Sequence, residues 1–85
     1  MSVAHILVVD DEPDIRELVG DILGDENYSV ATAEDAGSAR AALRERRPDL
    51  ILLDIWMPDL DGISLLKEWS QGQGLICPVI MMSGH

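Results

Sequence analysis

The chain has 85 residues, 47% of them hydrophobic, which is enough for one packed domain and too few for two. Sixteen acidic against six basic residues give a formal charge of −10, which opposes binding to nucleic-acid backbones and to anionic membrane surfaces but suits divalent cations or a basic partner. A single cysteine, Cys77, rules out an intramolecular disulfide, and no paired Cys/His spacing points to zinc. No apolar run is long enough to cross a bilayer, so a cytoplasmic protein without membrane contact is expected.

In chain order, His5 to Val9 is a short run rich in branched apolar residues, the pattern of a strand buried on both faces of a parallel sheet. It ends in Asp10-Asp11-Glu12-Pro13. Pro13 suits the first turn of a helix, and Ile15, Leu18, Val19, Ile22 and Leu23 then fall on one helical face that Gly24 is placed to stop. Tyr28, Val30 and Thr32 alternate with Ser29, Ala31 and Ala33, predicting a second strand toward a sheet edge. Residues 35–47 read as a helix with a small-residue face (Ala36, Ala39, Leu43), closed by Pro48. Residues 50–53 repeat the first strand's pattern and again end in an acid, Asp54, before a loop through Met57, Pro58 and Gly62. Leu65, Leu66 and Trp69 share a third helical face, and Val79 to Met82 form a last apolar strand.

Strands alternating with helices predict an α/β fold, a parallel sheet with right-handed crossovers and helices on both faces. In such sheets ligands bind beyond the carboxyl ends of the strands, which here carry Asp10, Asp11, Asp54 and Ser83. Three carboxylates converging on one rim repel one another and need a cation. Mg²⁺, a hard ion that takes oxygen ligands, water and phosphate, suits them. A carboxylate can also attack phosphorus, and Asp54, ending a rigid strand, is the best-placed nucleophile. Asp59 and Asp61 lie farther into the loop, where turn and capping roles suffice. The Ser83 hydroxyl could donate to a phosphorylated Asp54 and so act as a switch. Each residue also has a plain structural explanation. Acids before Pro13 favour a helix N-terminus, and a strand-end serine is commonly a turn hydroxyl. Only the set together points to a site. His5 and His85 lack metal-ligand spacing, Trp69 suits a helix core, and Met81 and Met82 suit packing.

Three blocks, His5-Ile-Leu-Val-Val-Asp-Asp-Glu12, Leu52-Leu-Asp-Ile-Trp-Met-Pro-Asp-Leu-Asp-Gly62 and Val79-Ile-Met-Met-Ser-Gly-His85, resemble the receiver domains of two-component response regulators. The closing block looks most like the nitrogen-regulation branch. The resemblance implies a three-layer, doubly wound, flavodoxin-like sheet of order 2-1-3-4-5. It also implies that Asp54 accepts phosphate from a sensor histidine kinase, that Asp10 and Asp11 assist Mg²⁺, that the Trp56 carbonyl completes the protein ligands, and that Ser83 is the switch hydroxyl. The output implied is transcriptional, without direct nucleic-acid contact by this domain, and the domain is a phosphoacceptor module rather than an enzyme on metabolites.

Receivers continue through a further helix, a fifth strand bearing a lysine and a final helix, whereas this sequence ends at His85. Residues 1–85 are therefore expected to be a receiver incomplete at its C-terminus, with Lys67 no substitute for that lysine. The fourth strand would be an exposed edge, open to homodimerisation or segment exchange. The rival expectations are a phosphorylation-incompetent interaction domain and an aspartate-nucleophile phosphatase. Against the phosphatase, Trp56 stands where a second acid is usual.

Overall fold

A computed structural model describes residues 3–54, 67–69 and 78–82. Its elements run β1 (His5–Val9), α1 (Pro13–Asp25), β2 (Ser29–Ala33), α2 (Ala36–Glu45), β3 (Leu50–Asp54) and β4 (Val79–Met82). Residues 67–69 are helical, within the region expected for a third helix. The strands form one parallel sheet of order β2-β1-β3-β4, as expected from the alternation of elements and the resemblance.

The uninterrupted apolar runs occupy the centre of the sheet. All five residues of β1 are buried, and Ile51, Leu53 and Asp54 of β3 are inaccessible or nearly so. Side chains alternate across the sheet, which sorts them into two layers. Leu7, Val9, Ala33, Ile51 and Leu53 pack with Ala36 and Ala39 of α2 and with Trp69 on one face. On the other, α1 crosses close enough that a Cβ on Gly20 would stand 4.0 Å from Val30. Trp69 thus fills the core as its helical spacing suggested.

Local chemistry sets the helix ends. Pro13 opens α1, but the helix runs one residue past Gly24. The chain is turned instead by Asn27, whose φ of 69° places it in the left-handed region, with its N–H donating to the Gly24 carbonyl. Strand β2 accordingly starts at Ser29, and Tyr28 is exposed. Asp35 caps α2 by accepting from the Ser38 N–H at 2.8 Å, while the Ser38 hydroxyl accepts from the Asp35 N–H, a reciprocal capping box. That helix stops at Glu45, short of the expected Arg47, because Arg46 is already extended.

Two apolar expectations are corrected. Helix α1 contains no fully buried residue, and Leu18 and Ile22 are more than half exposed, so its stripe is only partly covered by the described residues. Met81, expected to pack, is exposed on β4, the outer strand of the described sheet, where the exposure of Ile80 agrees with the open edge expected there. No helix among the described residues is long and apolar enough to cross a membrane.

Candidate functional site

The register of the sheet builds the site. Strands β1 and β3 are adjacent and parallel, with Val9 opposite Leu53, so the residues following β1 and the last residue of β3 emerge at the same edge. Asp10, Asp11 and Asp54 each offer a carboxylate oxygen there, all within 4.8 Å of one another. Asp10 and Asp54 are 4% and 1% exposed, and Asp11 is half-buried.

Such proximity of acids is costly without a cation. Burial pushes the Asp10 carboxyl above its ordinary value of 3.8; the Glu12 N–H, donated to Asp10 Oδ1 at 2.9 Å, works against this, and the charges of Asp54, Asp11 and Glu12 add to it. The buried Oδ1 of Asp11 has no hydrogen-bond partner among the described residues. An orphaned buried oxygen on an acid that shares this edge with two further carboxylates fits a hard divalent cation such as Mg²⁺, which Asp10, Asp11 and Asp54 would hold.

Backbone contacts fix this edge. The Asp10 N–H donates to the Ala33 carbonyl at 3.0 Å, extending the β1–β2 pairing by one residue. Arg16, in the first turns of α1, reaches back with Nη1 to the Asp10 carbonyl at 2.7 Å, and its Nη2 lies 3.9 Å from Glu34 Oε2. Sequence reading passed over Arg16, since a basic residue near a helix start carries no sign that it folds back onto the preceding strand end. Trp56 and Ser83, the remaining expected site residues, lie outside the described residues.

Residues 6–85 match the family model of the response regulator receiver domain. The chain belongs to the response regulator receiver family. A curated relative, the nitrogen assimilation regulatory protein NtrX of Azorhizobium caulinodans, is 53% identical over 85 residues, covering 96% of this chain and 18% of that protein. The receiver domain of NtrX from Brucella abortus superposes with a TM-score of 0.85 at 52% identity, over 94% of this chain and 68% of that one. The N-terminal domain of a response regulator receiver protein from Methanoculleus marisnigri gives 0.92 at 34% identity, over 99% and 69%. The chain thus spans about a fifth of that curated NtrX and most of each of these two solved domains. As a receiver similar to NtrX and to other transcriptional response regulators, it is a module of two-component signal transduction with the flavodoxin-like sheet.

Proposed function

We propose that this receiver accepts a phosphoryl group on Asp54 from a sensor histidine kinase, in a Mg²⁺-dependent reaction, and thereby controls a transcriptional output in nitrogen-related signalling. The observation that carries the reading is the convergence of Asp10, Asp11 and Asp54 within 4.8 Å at the carboxyl edge of β1 and β3. Residues 1–85 then act as one receiver domain.

In the proposed step an Asp54 carboxylate oxygen forms a bond to phosphorus as the bond from phosphorus to the donor's imidazole nitrogen breaks. The departing imidazole takes up a proton. Bound Mg²⁺ would supply charge neutralisation at the transferred phosphoryl oxygens. The protein's share is positional: Asp54 ends a buried strand, so its carboxylate is held at one place, while Asp10 and Asp11 hold negative charge around the cation. Ser83 serves as the hydroxyl that reads the new dianion, and the Trp56 carbonyl as a further ligand. The reading is a signalling switch rather than turnover of a metabolite.

Incubation with Mg²⁺ and acetyl phosphate, followed by intact-mass measurement, tests this. One added phosphoryl group in the wild type and none in Asp54→Asn is the expected result. No adduct in either would make the chain an interaction domain, and sustained hydrolysis of small phosphate esters would make it a phosphatase.

A further inference from the structure

Arg16 stands out among the described side chains because it joins two loops at the acidic edge without belonging to the acidic cluster. Its stem rises from α1, Nη1 donates to the Asp10 carbonyl at 2.7 Å, and Nη2 faces Glu34 on the β2–α2 connection at 3.9 Å. The side chain is 18% exposed, so it is shielded from much of the solvent. The Asp10 carbonyl and the Asp11 N–H belong to one planar peptide. The Asp10 N–H is tied to Ala33, and the Asp10 carboxylate accepts from the Glu12 N–H. With the carbonyl tied to Arg16, both peptides flanking the Asp10 Cα are fixed, and with them the direction in which Asp11 leaves the backbone.

We propose that Arg16 is a positioning residue of the acidic site. By holding the Asp10–Asp11 peptide it aims the Asp11 carboxylate, whose Oδ1 is buried without a hydrogen-bond partner among the described residues, at the position between Asp10 and Asp54 that a divalent cation would fill. The inference rests on the reading of this cluster as a Mg²⁺ site. It makes a prediction opposite to simple electrostatics. A guanidinium bonded to the backbone of this edge carries the same sign of charge as a bound cation, so if charge were its main effect, removing it would tighten Mg²⁺ binding. If position is its main effect, removal loosens Asp11 and weakens binding, as loss of an orienting partner behind a metal ligand does.

The test is a titration of the metal-free protein with Mg²⁺ alone, followed by tryptophan emission and by competition against Mn²⁺ in electron paramagnetic resonance. Wild type, Arg16→Met, Arg16→Lys, Asp11→Asn and Ile51→Val are compared, the last as a core variant destabilised away from the site. Arg16→Met is expected to weaken Mg²⁺ about ten-fold. Arg16→Lys, which keeps a donor for the Asp10 carbonyl, recovers part of that loss, and Ile51→Val leaves affinity unchanged. Equal or tighter binding by Arg16→Met, with Asp11→Asn still defective, overturns the role of Arg16 and leaves the metal site standing. If Asp11→Asn binds like the wild type, the metal-site reading fails and the proposal fails with it. An affinity loss in Ile51→Val matching that of Arg16→Met would reduce the effect to general destabilisation and also overturn it.

Discussion

His5 Nδ1 and Ser29 Oγ lie 3.0 Å apart, joining β1 to β2 at the end of the sheet opposite the acidic cluster. Around them Arg46 Nη1 donates to the same serine oxygen at 3.1 Å, and the His5 N–H donates to Asp49 Oδ2 at 2.7 Å. Burial, and after it the charge of Arg46, pushes the imidazole below 6.5, while Asp49 and the bond to Ser29 oppose this. The folded state therefore binds a proton less readily than the unfolded chain. The contribution of neutral His5 is fully present above about pH 6.5 and is lost as pH falls from there toward the depressed folded value. Urea midpoints at about pH 7.5 and about pH 5.5 should drop more for the wild type than for His5→Gln. An equal drop in both would remove His5 as the cause.

Asp10 has the opposite sign. Its carboxyl is raised, so whatever stability its proton contributes is complete below 3.8 and lost as pH rises through the folded value. At neutral pH the ionised group is therefore a cost. Asp10→Asn, whose side-chain oxygen still accepts from the Glu12 N–H, should raise the denaturation midpoint in chelator at neutral pH. Excess Mg²⁺ should narrow or reverse that difference, because the wild type gains more from the ion. A lower midpoint for Asp10→Asn in chelator would contradict the assignment of repulsion at this edge.

Mg²⁺ itself should stabilise the protein. Free ion at ten times its dissociation constant contributes about 1.4 kcal/mol, which for a domain of this size raises the melting temperature by roughly 5–10 °C. Asp54→Asn should show a much smaller rise in a parallel thermal scan. The same rise in both proteins would place the ion elsewhere.

The two central strands should carry the stability. Ile51 is wholly buried and Ile80 is 52% exposed, although the two strands pair directly. Ile51→Val should cost about 1 kcal/mol, with Ile80→Val within about 0.5 kcal/mol of the wild type, measured by urea unfolding. Comparable losses would mean that β4 is covered as deeply as β3.

Asn27 closes α1 with a positive φ. Asn27→Ala should lose about 1 kcal/mol in the same assay, and Asn27→Gly should not follow it, because only the alanine brings a Cβ into the left-handed conformation without a polar group to compensate. If alanine and glycine behave alike, backbone strain at this turn is not what stops the helix.

The sequence by itself determined the elements and the chemistry of the edge. Continuous branched runs ending in acids give buried parallel strands, and the order of strands and helices requires crossovers that carry every strand's carboxyl end to one side. Asp10, Asp11 and Asp54 could be singled out on that ground alone. Periodicity failed where coverage depends on neighbours: Leu18 and Ile22 repeat on a helical face yet stay exposed, and the turn fell to Asn27 rather than to Gly24. Only the tertiary structure decided that one carboxylate oxygen from each of the three acids comes within 4.8 Å of the others, and that Arg16 folds back onto the Asp10 carbonyl. The physical reason is that hydrophobic pattern reports which residues leave water, whereas distances between charged groups are set by strand register and side-chain reach, which no local pattern encodes.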